Sequence, residues 1–280
     1  MTRVLTARTV NGIACYSPDV AESYADYPDA AFEVTDAEVE RSFWVRSRNR
    51  LFGWLVQQDV TRLGRANLLD IGCGTGSFLG KIIDMPGLSA TGSEIYLSGL
   101  KIAQKRQPRA EFIQFDVTQG VLDRQFDIIT AFDVLEHVEQ DEAGFRNIHD
   151  MLSDDGTYIM SVPQHAFLWS RLDEIVHHKR RYSRADLLTK LIAVGFEPQR
   201  VTSQVFFLFP LVVVSRLLDR SISGAAPTDD AQALLARVSF PRPVNWLFDK
   251  IMRLDEALIR MGLSLPFGST LIVVARKSGA

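Results

Sequence analysis

In one short stretch of the chain, an acid precedes three alternating glycines: Asp70 is followed by Gly72, Gly74 and Gly76. Alternating glycines let the main chain take positive φ values and allow a ligand to approach the backbone closely. The residues from Ser77 onward have helical spacing, so the free N–H groups of a helix N-terminus would face the same ligand. A carboxylate here attracts a cationic group and repels a pyrophosphate. The third glycine lies one residue earlier than in a dinucleotide fingerprint, which argues against a dinucleotide. Together with the acid, the pattern indicates a nucleotide-like ligand that carries a positive charge.

Three more acids follow apolar runs further along the chain, at Glu94, Asp116 and Asp133. Glu94 lies close to the spacing of about 20 residues at which an acid reaches ribose hydroxyls in such units. Taken singly, each acid is equally well explained as a solvated strand end. Taken as an ordered set, the acids predict one ligand-binding edge, because the carboxyl ends of parallel strands meet at the same side of a sheet.

The segment 164–183 contains three of the five histidines together with a cluster of arginines. Histidine is the residue type that exchanges protons near neutral pH, so His178 could remove a proton from a hydroxyl group, with Asp173 orienting its ring. Arg180 or Arg181 could hold a phosphate or carboxylate as a bidentate fork. The alternative is that the next helix is capped here and the basic side chains form a solvated face.

His137 is a further candidate, because it follows a predicted strand and could contact a substrate. A histidine at a helix start that is satisfied by the backbone explains it equally well. We predict no metal site, since His177 and His178 are adjacent and point apart and no spaced carboxylate–histidine set recurs.

The elements that must position these residues alternate between apolar runs of strand length and segments of helical periodicity. Helical patterns at 97–107 and 139–152 separate runs that end in polar residues. This alternation predicts an α/β fold with a mostly parallel sheet. The predicted strands are 68–70, 88–94, 111–117, the run 126–137 that leads into a helix start, 156–163, 199–206 and 269–276.

In motif order and spacing, 68–200 resembles the class I S-adenosylmethionine-dependent methyltransferases, whose first motif is apolar-apolar-(Asp/Glu)-x-Gly-x-Gly-x-Gly. The resemblance implies a Rossmann-like sheet of seven strands, mostly parallel with an antiparallel last strand, and S-adenosyl-L-methionine as cofactor. It places Asp70 near the methionine amino group and Glu94 at the ribose. The other cofactor contacts that it implies lie in the glycine turn, beside the adenine and along the pocket wall: Gly72, Cys73, Gly74, Gly76, Ile95, Asp116, Val117, Phe132 and Asp133.

Two segments also resemble a bacterial subgroup of these enzymes with type 11/12-like domains. One is the segment from Ser42 to Arg50 before the first motif, and its resemblance implies that Trp44 and Arg48 cover the cofactor. The residues alone leave another interpretation open, an amphipathic helix with a buried aromatic face and solvated arginines.

The second segment is Asp-x-x-x-x-His-x-Arg-Arg-Tyr, matched from Asp173 to Tyr182. His177 departs from the pattern, because the subgroup more often has a small residue there. The resemblance implies an acceptor from natural-product or cell-envelope glycan pathways, with a glycosylated, phosphorylated or isoprenoid group. The substrate contacts expected in this region are His165, Trp169, Arg180, Arg181 and Tyr182.

We expect three parts in the chain: a helical N-terminal cap (1–65), a core (66–206 with 268–280) and a helical insertion (207–267). The apolar run 205–214 is shorter than the roughly 20 residues that a membrane-spanning helix needs. The insertion could serve as a lid, a homodimer face or a peripheral membrane contact through 205–218, or it could simply be buried core.

Composition is that of an ordinary globular enzyme, and a net charge of −3 favours neither nucleic acid nor an anionic membrane globally. Two distant cysteines, Cys15 and Cys73, and no signal-peptide pattern indicate a cytoplasmic location. The prediction is therefore methyl transfer to an oxygen of a small-molecule or lipid- or glycan-type acceptor. The alternatives are a nicotinamide-dependent oxidoreductase and a non-catalytic cofactor-binding interaction protein.

Overall fold

The computed structural model describes residues 2–23, 41–221 and 240–277, which form one nine-stranded sheet flanked by helices. The strands are β1 (Arg8–Val10), β2 (Ile13–Cys15), β3 (Ala66–Ile71), β4 (Leu88–Glu94), β5 (Glu111–Gln114), β6 (Phe126–Phe132), β7 (Leu152–Pro163), β8 (Phe196–Gln204) and β9 (Thr270–Lys277). The α-helices are α1 (Pro18–Ser23), α2 (Phe43–Leu63), α3 (Leu79–Ile82), α4 (Leu97–Arg106), α5 (Asp141–Met151), α6 (Arg171–Ile175), α7 (Arg184–Val194), α8 (Phe209–Ser221) and α9 (Arg242–Arg260), with short 3₁₀ helices at Leu135–His137 and Ala166–Leu168.

The strand order is β1-β2-β5-β4-β3-β6-β7-β9-β8, and the strands from β3 to β7 are parallel. The last strand, β9, lies between β7 and β8 and is antiparallel to both. This confirms the predicted mostly parallel sheet with an antiparallel last strand. The chain builds outward from β3 in one direction and from β6 in the other, so these two strands flank the crevice where ligands bind in such sheets.

Two short strands at the N-terminal end were not predicted. β1 and β2 form a hairpin, and β2 adds to the sheet edge beside β5. Strands of three residues are too short to show a periodicity, so no sequence pattern marks them. The expectation of a purely helical arm over 1–65 is therefore incomplete.

Strand boundaries also shift. β5 ends at Gln114, so Asp116 lies in the following turn and not in the strand. β8 begins at Phe196, because Gly195 ends α7 in the left-handed conformation and the chain enters the strand at once.

Helix α2 packs its apolar face on the sheet and presents its N-terminal half to the insertion. Ser42 caps it, with the side-chain oxygen accepting from the Trp44 N–H group. The predicted capping pattern at Thr35 lies outside the described residues.

Helix α9 docks on α2 through buried charges as well as apolar contacts. Arg50 donates to Glu256 from Nε at 2.9 Å and ion-pairs with Asp249, and Ser47 donates to Glu256. The predicted helix at 243–261 is confirmed, whereas the one at 229–238 lies outside the described residues. Among the described helices, none combines the length and apolar content needed to cross a bilayer.

Candidate active site

The turn between β3 and α3 depends on glycine. Gly72, Gly74 and Gly76 have φ values of 71°, 55° and 74°. A Cβ atom on Gly72 would lie 2.4 Å from Cγ2 of Val134, whereas one on Gly74 would meet no atom of the described residues within 4 Å. Space therefore lies open beside Gly74, where a ligand can approach the main chain.

The different surroundings of Gly72 and Gly74 predict different losses of stability when each is replaced by alanine. Gly74→Ala should cost about 1–2 kcal/mol of unfolding free energy, because an L-residue must take a left-handed conformation. Gly72→Ala should cost about 1–3 kcal/mol more, because the methyl group also overpacks against Val134. Urea unfolding of both variants measures the two costs, and equal values would contradict the close approach of Val134 to the Gly72 main chain.

Glu94, at the end of β4, is held in place by main-chain donors. Its carboxylate accepts from the N–H groups of Gly74 at 3.0 Å, Ile95 at 2.7 Å and Tyr96 at 3.3 Å. Burial raises the pKa of Glu94, although these three hydrogen bonds oppose the shift. The predicted acid thus stands directly beside the glycine turn.

Asp116 and Val117, which were predicted within the strand, follow β5 and differ in their surroundings. The Asp116 carboxylate accepts from the N–H and hydroxyl groups of Thr118. The Val117 side chain is buried in the hydrophobic core, so only its main chain is left for contact with an adenine. The predicted place of Val117 beside the adenine stays a prediction, and it would rest on the main chain of that residue.

Asp70 lies beneath the turn and is 3% exposed. It accepts a 2.6 Å hydrogen bond from the Thr130 hydroxyl on the neighbouring strand β6. Burial raises the pKa of Asp70 to about 7, although this hydrogen bond opposes the shift. Burial also raises the pKa of the Cys73 thiol well above its usual range, which leaves that residue neutral in the turn.

The Asp70 carboxyl should make the stability of the ligand-free protein depend on pH. Its pKa is about 3.9 when unfolded and about 7 when folded, so the folded state binds more protons between these values and loses stability as pH rises. The loss between pH 4 and pH 7 is on the order of 4 kcal/mol. Asp70→Asn should remove this component, which urea unfolding of both proteins across the interval measures; parallel pH curves would contradict the assignment.

Arg48 reaches from α2 over the end of β6. Its Nη2 lies 2.7 Å from Oδ2 of Asp133, and the guanidinium stacks 4.3 Å from the Trp44 ring centroid and 5.3 Å from that of Phe52. Phe132 stacks on Phe52 with centroids 3.9 Å apart. The interpretation of Arg48 as a solvated surface residue is therefore wrong, and the predicted set of Trp44, Arg48 and Asp133 does come together.

The structure brings Asp173 and His178 into a hydrogen-bonded pair. Nδ1 of His178 lies 2.8 Å from Oδ1 of Asp173, which is completely buried. Arg181 donates to both carboxylate oxygens, from Nε at 2.7 Å and from Nη2 at 3.1 Å. Burial alone would raise the pKa of Asp173, but the hydrogen bonds from His178 and Arg181 outweigh it and hold that pKa well below its usual range.

These contacts determine which nitrogen of a neutral His178 imidazole carries the hydrogen. An ionised Asp173 can only accept, so Nδ1 of His178 must carry the hydrogen. Nε2 is then the free acceptor of the ring, as a general base requires. Asp173 also accepts from the Ser170 N–H group at 2.8 Å, which ties the pair to the start of α6.

Three of the predicted substrate contacts have other partners. Arg181 has a side chain 5% exposed and is committed to Asp173. Arg180 donates to the Glu139 carbonyl and pairs with Asp141. Tyr182 is fully buried, and its hydroxyl donates to Asp141 at 2.7 Å. The sequence-based expectation that Arg181 and Tyr182 touch a substrate is corrected: both support the loop, because short-range spacing could not show which way each side chain turns.

His165 and Trp169 lie on the same loop, and their predicted contacts with a substrate stay predictions. His165 has a positive φ of 65°, and burial lowers its pKa. Its ring lies 5.2 Å from that of Phe167 and 5.5 Å from that of Phe209. The loop therefore offers an aromatic wall where the sequence indicates polar recognition.

His137 lies next to the pair, with its ring centroid 4.7 Å from that of His178. Burial, followed by the influence of His178, lowers the pKa of His137 to about 4. Glu136 is fully buried and neither carboxyl oxygen has a hydrogen-bond partner among the described residues. Burial, reinforced by Asp133, raises the pKa of Glu136 well above its usual range.

Sequence reasoning missed Glu136, although it directly precedes His137 in the short 3₁₀ helix after β6. Its Oε1 lies 3.8 Å from Nε2 of His178, and ligand atoms of Glu136, His137 and His178 all lie within 4.8 Å of one another. Such a set could hold a metal ion. The prediction of no metal site considered neighbours in sequence, whereas the fold joins Glu136 and His178 only through the loop after β7.

A family model for the methyltransferase domain matches residues 37–201. The chain belongs to this family. The matched region contains the glycine turn, the acids at the strand ends and the Asp173–His178 pair. S-adenosylmethionine is the cofactor that this membership implies, and the nicotinamide-dependent alternative is set aside.

Curated relatives of this methyltransferase domain include enzymes of quinone metabolism. The chain is 29% identical over 105 residues to demethylmenaquinone methyltransferase of Chlorobaculum tepidum, covering 36% of the chain and 43% of the relative. It is 30% identical over 101 residues to the mitochondrial ubiquinone biosynthesis O-methyltransferase of Schizosaccharomyces pombe, covering 34% and 36%. The chain thus spans less than half the length of these relatives.

Among solved structures, phosphoethanolamine N-methyltransferase 2 of Haemonchus contortus in complex with S-adenosyl-L-methionine is similar to the chain. The TM-score is 0.56 with 15% identity, over 93% of this chain and 60% of that one. At this identity the likeness shows the fold alone.

The residues of the methyltransferase domain fit such a cofactor. Open space adjoins the Gly74 main chain, and the carboxylates of Asp70 and Glu94 stand beneath and beside the turn. Nε of Arg48 is buried and has no hydrogen-bond partner among the described residues, so a donor is available for a carboxylate group.

Proposed function

We propose that the protein transfers the methyl group of S-adenosylmethionine to an oxygen of a small-molecule or lipid- or glycan-type acceptor. His178 serves as general base and Asp173 orients it. The observation that carries the proposal is the 2.8 Å hydrogen bond between His178 and a buried, ionised Asp173, at the sheet edge that holds the glycine turn.

When bound, the cofactor supplies an electrophilic methyl group on a sulfonium. The protein must then hold an acceptor oxygen in line and remove its proton. Nε2 of His178 accepts that proton, and the buried carboxylate of Asp173 stabilises the imidazolium that forms. Such proton removal typically contributes about 10²–10⁴-fold in rate.

The remaining roles follow from position. Asp70, Glu94 and the main chain of the glycine turn hold the cofactor, and Trp44 with Arg48 covers it. His165, Trp169 and His137 face the acceptor. Two of the curated relatives are named for quinone methylation, which supports an acceptor that is partly apolar.

Location and assembly belong to the same proposal. Cys15 and Cys73 are both free and buried, which supports a reducing, cytoplasmic compartment. In this proposal the described part of the insertion belongs to the acceptor side, because Phe209 packs near His165 on the active-site loop, and a homodimer face is its other proposed role.

The test is a transfer assay with methyl-labelled S-adenosylmethionine and paired acceptors that share one scaffold but carry a hydroxyl or an amine. Label on the hydroxyl compound alone supports the proposal, whereas label on the amine alone contradicts O-methylation. Partition of the labelled product between water and an organic solvent separates polar from lipid-type acceptors. Activity that is unchanged by a chelator supports the proposal, whereas loss of activity would contradict it, because a metal ion at Glu136, His137 and His178 would occupy Nε2 of His178.

A further inference from the structure

The solvent-facing side of α9 is both apolar and basic. Trp246, Leu247 and Leu254 are 61%, 49% and 54% exposed. The charged side chains exposed on the same helix are all cationic: Arg242, Lys250, Arg253 and Arg260. Nζ of Lys250 lies 5.6 Å from the Trp246 ring centroid, so the basic and aromatic groups share one surface.

The acids of α9 are all turned inward. Asp249, Asp255 and Glu256 are 7%, 0% and 4% exposed. Asp249 and Glu256 bind Arg50 of α2, and Asp255 accepts from the N–H group of Phe206 at 2.6 Å. Asp249 also pairs with Arg253 at 3.3 Å, so the positive charge of the outer face rests mainly on Arg242 and Lys250, although the chain as a whole has a net charge of −3.

Helix α8 adds a second exposed apolar face beside it. Leu211, Val214 and Leu218 are 55%, 53% and 57% exposed. The two helices are joined inside by one hydrophobic cluster, which includes Val212 of α8 and Met252 of α9. Apolar side chains together with lysine and arginine are the combination that adsorbs helices to the surface of an anionic bilayer.

The start of α8 also connects this surface to the active-site loop. Phe209 lies 5.5 Å from the His165 ring and 5.4 Å from that of Phe267. Arg216 donates at 2.8 Å to the hydroxyl of Ser170, the residue that caps the helix carrying Asp173. A surface that rests on a membrane would thus lie next to the crevice that receives an acceptor.

We propose that the outer faces of α8 and α9 form a contact surface for an anionic lipid bilayer. Its apolar part is Leu211, Val214, Leu218, Trp246, Leu247 and Leu254. The main cations beside this apolar part are Arg242 and Lys250. The surface contacts the headgroup region and does not span the membrane. The proposal rests on these exposed faces and not on methyl transfer, so the two can fail separately.

The test is flotation of the full chain, without methyl donor, with vesicles of phosphatidylcholine alone or of phosphatidylcholine and phosphatidylglycerol in equal parts. The protein should float with the anionic vesicles, and added salt should weaken the binding. Arg242→Glu/Lys250→Glu should weaken binding by about 25-fold or more, because each cation near such a surface contributes about fivefold. The matched control is Lys101→Glu/Lys105→Glu on α4, which should bind like the parent protein.

A second pair of variants tests the apolar part. Trp246→Ser/Leu247→Ser should also lose binding, whereas Ile192→Ser, at an exposed position on α7, should not. Binding to neither vesicle, or equal binding to both, would overturn the proposal. A third outcome would also overturn it: the parent protein binds no vesicles and is a dimer by light scattering, and Trp246→Ser/Leu247→Ser abolishes the dimer. A second copy of the chain would then cover this face.

Discussion

Replacing His178 with alanine is expected to lower kcat by about 10²–10⁴-fold while leaving S-adenosylhomocysteine affinity within about twofold of the parent value. The imidazole is held by Asp173 and has Nε2 free, but it forms no part of the glycine turn. Loss of the ring therefore removes proton transfer and not cofactor binding. Steady-state kinetics with a hydroxyl acceptor, together with calorimetric titration, measures both quantities.

The neighbouring histidine supplies the control for this experiment. His177 is exposed and has a φ of 57°, so His177→Asn keeps a side chain that tolerates this conformation. Its kcat should match that of the parent protein. If His178→Ala kept full turnover in folded protein, His178 would have no catalytic role.

Asp173→Ala is expected to destabilise the protein by about 3–5 kcal/mol and to lower kcat at least as much as His178→Ala. The substitution leaves Arg181, whose side chain is 5% exposed, as a buried cation without its carboxylate partner. It also removes the group that holds His178 and accepts from the Ser170 N–H group. Urea unfolding at neutral pH measures the loss of stability.

The pH dependence of this loss separates charge from packing. Because the pKa of Asp173 is depressed in the folded state, its stabilising contribution is present above about pH 4 and is lost as pH falls through the folded pKa. The difference between parent and variant should therefore shrink under acid conditions. Asp173→Asn, which preserves volume, should show a similar dependence. A difference of less than about 1 kcal/mol at neutral pH would contradict the assignment of a buried ion pair.

The parts of the fold that could be predicted are those that repeat a simple pattern. The apolar run ending at Asp70, the acid at Glu94 and the glycines between them define a strand, a turn and a second strand by local sequence alone. β4 has the predicted bounds, Leu88–Glu94, because its ends are marked by a glycine-containing turn and by an acid. In each case, the residues that determine the strand or turn lie within a few positions of it in the sequence.

The parts that could not be predicted depend on contacts between distant segments. Arg181 looked available for a substrate because nothing near it in sequence shows that Asp173 would take both of its nitrogens. Glu136 lies beside His178 because the loop after β7 packs against the segment that follows β6. The inward turn of all three acids on α9 likewise depends on Arg50 and on the main chain at Phe206.

Calorimetric titration of the folded protein with S-adenosylhomocysteine tests the central claim, that the glycine turn between β3 and α3 and the acids around it bind the methyl-donor cofactor. We expect saturable binding of one S-adenosylhomocysteine per chain, weakened in Glu94→Ala, and no binding of NADH. Protein that is folded by circular dichroism and binds no S-adenosylhomocysteine, or binds NADH in its place, would contradict the account built on Asp70, Gly74 and Glu94.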